Sequence, residues 1–109
     1  MRVNITARHG KMISERMRTH VNAEIEKLDK FYEGIIGCDV VLDSQKMEQT
    51  AEVLVSIHGH KLTAIEHSDD IYKSIDAAVA KLERQLKKVK AKLHHYENKR
   101  FIEEVKEAV

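Results

Sequence analysis

Apolar and polar positions alternate strictly from Arg2 to Arg8, with Val3, Ile5 and Ala7 on one side and Arg2, Asn4, Thr6 and Arg8 on the other. A period of two predicts a half-buried strand. The period then changes: Met17, Val21, Ile25, Leu28 and Tyr32 recur at intervals of three and four, the rhythm of an amphipathic helix. Ser14 is placed to cap its N-terminus, Glu15 suits the positive end of its dipole, and Gly34 is expected as its C-cap. Alternation returns in three further segments, Ile36, Cys38, Val40 and Leu42, then Ala51, Val53, Val55 and Ile57, then Leu62 with Ala64. Ser44-Gln45-Lys46-Met47 reads as one hairpin connection. Gly59-His60 reads as a tighter one, with Gly59 suited to the first central position of a type II′ turn. Connections this short imply antiparallel neighbours. Ser68-Asp69-Asp70 supplies a cap and early acidic charge for the last and longest helix, expected from about Asp70 to Leu93. Its apolar stripe is Ile71, Ile75, Ala78, Val79, Leu82, Leu86, Val89 and Leu93. The order predicts an α+β fold: a β-α-β-β-β-α two-layer sandwich, with two helices packed on one face of a four-stranded sheet.

Composition narrows the class. The chain has 109 residues, 42% hydrophobic and 34% charged, which suits one domain with a modest core and a heavily charged surface. No repeat, Gly/Ser linker or low-complexity tract divides it. Residues 1–95 are therefore expected to form the α+β domain and 96–109 a short, charged, flexible C-terminal tail. The lone Cys38 excludes an internal disulfide framework and fits a reducing, cytoplasmic setting. The N-terminus has no apolar signal-peptide centre, and no apolar run approaches the roughly 20 residues that span a bilayer, so no membrane partner is expected.

Nineteen Lys and Arg against eighteen Asp and Glu give a formal charge of +1, which taken alone argues against a nucleic-acid partner. Placement reverses that inference. At about 100° per residue, Lys73, Lys81, Arg84, Lys87, Lys88 and Lys92 fall opposite the apolar stripe of the second helix. From Lys81 to Lys92, six basic residues face one acid, a local net charge of +5. Asp76 and Glu83 share a flank and stand aside from the basic stripe. On the first helix Arg16, Lys27 and Lys30 lie beside the small Ala23, whereas Glu15, Glu26, Asp29 and Glu33 collect elsewhere. Two helices on one sheet face are expected to join these basic flanks into a groove suited to phosphates. Ala77, Ala80 and Ala91 would let a backbone approach closely. The plainer alternative is a solvated helix face, since Lys and Ala are good helix formers and Glu83–Lys87 is an ordinary i, i+4 pair. Spacing alone does not separate the two readings. The only aromatic rings are Phe31, Tyr32, Tyr72, Tyr96 and Phe101, too few for a base-stacking platform, so phosphate and shape recognition of folded RNA is favoured.

Other chemistry finds little support. His58, His60 and His67 lie near turns or strand ends, but no Cys joins them and no carboxylate has ligand spacing, so they read as loop histidines. His94-His95 would add partial positive charge at the end of the basic helix. Ser14, Ser56 and Ser74 have no visible His and Asp partners, Cys38 reads as a small core residue, and four scattered glycines form no phosphate loop. Neither enzyme activity nor a cofactor is expected.

With these residues laid out, the chain resembles the short ribosome hibernation-promoting factors and the ribosome-associated inhibitor protein Y. The resemblance covers roughly residues 1–93. It runs from Val3-Asn4-Ile5-Thr6 through Glu26-Lys27-Leu28-Asp29-Lys30-Phe31 and is most specific in Asp70-Ile71-Tyr72-Lys73-Ser74-Ile75-Asp76, followed by Lys81-Leu82-Glu83-Arg84-Gln85-Leu86-Lys87-Lys88. It implies the same β-α-β-β-β-α fold and a non-enzymatic factor of stationary phase or stress. Such a factor binds rRNA of the small ribosomal subunit, contacts ribosomal proteins, and blocks the channel used by messenger and transfer RNA. Carried over by position, the rRNA contacts fall on Lys27, Lys30, Lys81, Arg84, Lys87 and Lys88; the helical wheel adds Lys73 and Lys92.

The resemblance implies no small-molecule substrate and a monomer off the ribosome. Long members of the family continue into a second domain that pairs ribosomes, whereas this sequence stops at Val109. Phe101-Ile102-Glu103-Glu104-Val105 is similar to the acidic tail of protein Y, which is associated with opposing such pairing. The subtype stays open. Two alternatives remain: a double-stranded-RNA-binding module, against which the acidic Ser68-Asp69-Asp70 start of the second helix would count, and a metal-assisted nuclease using His58, His60 or His67.

Overall fold

The structure, a computed structural model, describes residues 1–99 and side chains as far as Lys92. The elements are β1 (Arg2–Arg8), α1 (Glu15–Phe31), β2 (Ile35–Gln45), β3 (Glu48–Ile57), β4 (His60–Ser68) and α2 (Ile71–Lys99). The sheet order is β1-β2-β3-β4. β1 pairs with β2 in parallel, and α1 supplies the crossover such a pair requires. The two hairpins make the remaining pairs antiparallel.

Both helices cover the same sheet face. Cys38, Val40 and Leu42 of β2, Ala51, Val53, Val55 and Ile57 of β3, and Ala64 of β4 are buried against Met17, Val21, Ile25 and Leu28 of α1. From α2, Ile71, Ile75, Ala78, Val79, Leu82 and Leu86 join the same core, with Val3, Ile5, Leu62 and Val89 packed at its margins. The expected stripes are therefore the buried ones. Cys38 is 1% exposed, and burial followed by the negative charge of Asp39 pushes its thiol up to about 12.

Helix ends follow local chemistry. Ser14 Oγ accepts from the backbone N–H of Met17 at 3.1 Å, as an N-cap should. Asp70 caps α2 by accepting from the Tyr72 N–H at 2.8 Å. Ser74 is fully buried and donates to the Gln49 carbonyl at 2.8 Å, while Ser68 Oγ lies 2.6 Å from Ser74 Oγ. These bonds pin the first turn of α2 to β3, which is the structural use of Ser74.

Several expectations shift by a residue or more. Tyr32, not Gly34, is the C-cap of α1; its N–H donates to the Leu28 carbonyl at 2.9 Å, and Gly34 instead takes φ +106° in the turn beyond. Ile35 is buried at 7% exposure, whereas Ile36, assigned to the apolar face, is 61% exposed. A register irregularity between Ile35 and Gly37 inserts a residue and reverses the alternation at the strand start. In the β3–β4 hairpin, Ile57 pairs with His60, so Gly59 occupies the second central position, where φ is +79°. A positive φ there belongs to a type II turn instead of the type II′ expected. The β2–β3 hairpin places its positive φ of +56° on Lys46.

α2 runs beyond the expected Leu93, as far as Lys99. Val89 is the last described side chain of α2 packed on the core, and the helix backbone runs about 15 Å further, to Lys99, at 1.5 Å per residue. Most of the expected 96–109 tail, including the Phe101–Val105 stretch, lies outside the described residues. So do the side chains of Leu93, His94, His95 and Tyr96. Among the described residues, no helix is long and apolar enough to cross a membrane.

Candidate nucleic-acid interface

α1 and α2 lie side by side and run in the same direction. His20 meets Asp76 near their starts and Phe31 meets Lys90 further along, pairs separated by 56 and 59 residues in sequence. At the first crossing, His20 Nε2 is 2.7 Å from Asp76 Oδ1, and the His20 and Tyr72 rings stand nearly perpendicular at a centroid distance of 5.1 Å. The Arg16 guanidinium also lies over the Tyr72 ring, 5.4 Å from its centre. At the second crossing, Lys90 Nζ donates to the Phe31 carbonyl at 3.3 Å and sits 5.0 Å from the Phe31 ring centre.

These contacts decide which flank of α2 faces α1. It is the flank of Tyr72, Asp76, Glu83 and Lys90, the one expected to hold acids apart from the basic surface. The seam is consequently mixed in charge. Lys27 reaches it from α1, and its ammonium is held above the ordinary lysine value mainly by a hydrogen bond and charge attraction from Glu24, with further attraction from Asp76 and Glu83 across the seam. The acids face α1 because they border the apolar stripe on that side, a choice made by packing between the helices.

The eight expected RNA-contact residues are all exposed, but they divide into two groups. Lys27 pairs with Glu24 at 2.7 Å and Lys30 with Glu26 at 3.5 Å within α1, and Lys73 with Asp69, just ahead of α2, at 3.9 Å. Lys81 pairs with Glu66 of β4. Arg84, Lys87, Lys88 and Lys92 make no ion pair among the described residues. Exposed pairs of this kind contribute little, about 0–1 kcal/mol, so the paired lysines can exchange a carboxylate for a phosphate at small cost.

The unpaired group is spread over the outside of α2. Lys81 and Gln85 both reach β4, the latter donating to the Thr63 carbonyl at 3.2 Å. Lys88 and Lys92 continue that row at i+7 and i+11. Lys73 and Arg84 lie along the outer ridge with the exposed Ala80 and Ala91, and Lys87 leans toward the seam. The positive surface is thus chiefly a convex helix ridge, with Lys27 and Lys30 beside it on α1. Sequence reasoning set Arg16 on the basic flank but found no role for it, and counted Lys90 only as charge. Their aromatic partners lie on the other helix, beyond the reach of any local pattern.

The histidines do not converge. His58 and His60 flank the β3–β4 turn, while His67, seven residues along β4 and about 23 Å away at 3.3 Å per residue, bonds Thr50 and Glu48 at the opposite end. The His58–His60–His67 metal site of the nuclease alternative therefore has no geometric basis.

A four-stranded mixed sheet covered on one face by two codirectional helices, one of them lysine-rich and exposed, defines a small class of α+β modules. The chain belongs to the Sigma 54 modulation protein / S30EA ribosomal protein family, whose model matches residues 3–94. It is 35% identical over 96 residues to the ribosome hibernation promoting factor of Klebsiella oxytoca, covering 88% of this chain and 100% of that protein. The Escherichia coli protein of the same name is 33% identical over the same coverage. Among solved structures, a ribosomal subunit interface protein from Coxiella burnetii superposes with a TM-score of 0.77 at 27% identity, over 84% of this chain and 99% of that one. The N-terminal domain of Thermus thermophilus Protein Y gives 0.75 at 28% identity, over 82% and 99%.

Proposed function

We propose that this protein is a non-enzymatic ribosome hibernation factor that binds small-subunit rRNA and prevents translation by occupying the mRNA and tRNA channel under stress or in stationary phase. The observation that carries this reading is the run Arg84, Lys87, Lys88 and Lys92, exposed and without acidic partners among the described residues, on a fold whose relatives are named for ribosome hibernation. Lys27, Lys30, Lys73 and Lys81 complete the contact set after exchanging their carboxylates for phosphate. Inhibition is steric: a helix ridge seated on rRNA fills space that translation needs. It requires no bond-making group, no cofactor and no small-molecule substrate, and the protein acts as a cytoplasmic monomer that contacts ribosomal proteins only when docked.

Affinity in this reading comes from phosphate neutralisation, and specificity from the shape of folded rRNA. A double-stranded-RNA-binding module would grip its duplex from the start of the second helix, where Asp69 is exposed and Asp70 is committed to capping. Co-sedimentation with purified small subunits, large subunits and a plain RNA duplex tests the proposal. Preferential, salt-sensitive binding to small subunits with loss of cell-free translation is expected. Equal binding to the plain duplex would overturn it.

A further inference from the structure

Lys90 occupies a different position from the other basic residues of α2. Its ammonium donates to the carbonyl of Phe31, the last residue of α1, and rests over the ring of the same residue. That carbonyl is among the C-terminal acceptors that an α-helix cannot satisfy internally, and a cation there also suits the negative end of the helix dipole. Lys90 therefore caps α1 from α2. It follows Val89, the last described α2 side chain packed on the core, and is the outermost described link between the helices. The inner link is the His20–Asp76 and Tyr72 crossing. Lys27 on α1 and Lys87 on α2 lie along the stretch between these two links.

We propose that Lys90 is a positioning residue for the RNA surface: it ties the end of α1 to α2 and so holds Lys27 and Lys30 in fixed register with Arg84, Lys87 and Lys88. The inference rests on the ribosome-binding reading above. Phosphates of a folded RNA have set positions, and basic groups already held in matching positions lose less freedom on binding. Without the Lys90 contact, the last turn of α1 and the projecting part of α2 separate more easily, and that ordering must be restored on binding.

Binding of the full chain to small subunits, measured across a salt series, tests this with Lys90→Met, Lys90→Arg and Lys88→Met. Lys90→Met is expected to weaken binding about three- to tenfold while leaving the log–log salt slope unchanged. Lys90→Arg is expected to restore affinity, because a guanidinium can donate to the carbonyl and stack on the ring. Lys88→Met should instead flatten the slope by about 0.7–0.9. Amide exchange in the last turn of α1 should quicken in Lys90→Met but not in Lys88→Met. A flattened slope in Lys90→Met, or unchanged affinity, overturns the positioning role. Failure of the wild-type chain to bind small subunits overturns the ribosomal reading and this proposal with it; that result is distinct, because in the other cases wild type binds and only the variants depart.

Discussion

His20 on α1 and Asp76 on α2 meet at 2.7 Å across the helix seam, and the Tyr72 ring lies nearly perpendicular to the same imidazole. Together with the Lys90–Phe31 contact, the pair aligns two helices whose core packing is apolar and less directional. Both side chains are partly exposed, at 32% and 52%, so solvent screens the pair. Asp76→Ala is expected to lower stability by about 0.5–1 kcal/mol. A double-mutant cycle with His20→Ala, read by urea denaturation, should return a coupling of the same size.

Lys87→Glu combined with Lys88→Glu replaces two exposed cations with anions on the outer face of α2. Small-subunit affinity should fall by at least about a hundredfold at low salt, since contact with phosphate becomes repulsion. Thermal unfolding should move by no more than about 2 °C, because neither side chain is buried. The wild-type log–log salt slope should lie at about −5.5 to −7 for the eight basic contacts. Binding that barely responds to salt would remove the phosphate argument.

Glu66 pairs with Lys81 and, in the proposed complex, would compete with RNA for it. Glu66→Gln removes that competitor and should raise small-subunit affinity about twofold to threefold at fixed salt. An unchanged affinity would mean that Lys81 stays docked on β4 and contributes no phosphate contact.

Ser74→Ala deletes a fully buried hydroxyl and leaves the Gln49 carbonyl without its donor. The expected loss is about 1–3 kcal/mol, measured by chemical denaturation, although Ser74 lies outside the proposed contact set. Leu86→Ala, at 0% exposure, should cost about 2–5 kcal/mol.

Cys38 should resist alkylation at pH 8 in the folded protein and react on unfolding, because its thiol is pushed up to about 12 by burial. The folded value lies above the ordinary one of 9.0, so the protonated thiol favours the folded state. That contribution is complete below pH 9 and is lost as pH rises toward 12. Cys38→Ala should show a shallower loss of stability over that interval in alkaline titration.

The core was legible because a strand facing one layer repeats every two residues and a helix every three to four. Val53, Val55 and Ile57, like Ile75, Leu82 and Leu86, carry that signal in their own spacing. So does the Ser14 cap, whose partner is only three residues away. The places that slipped are those where the period breaks: the irregularity that buries Ile35 and exposes Ile36, and the turn that puts Gly59 second. A one-residue insertion leaves no mark in a two-residue alternation until a partner strand fixes the register.

The candidate interface was legible in kind but not in arrangement. Lys81, Arg84, Lys87, Lys88 and Lys92 announce an exposed basic face through composition and helical period alone, both local properties. The flank of α2 that faces α1, the carboxylates that hold Lys27 and Lys81, and the seating of Lys90 on Phe31 depend on residues far apart in the chain. Periodicity specifies which side of each helix seeks the core. It does not specify how the polar flanks of two helices meet. That pairing follows from their common direction and offset on the sheet, set by the β1–β2 crossover and the hairpins, and only the assembled layers bring those charges within reach.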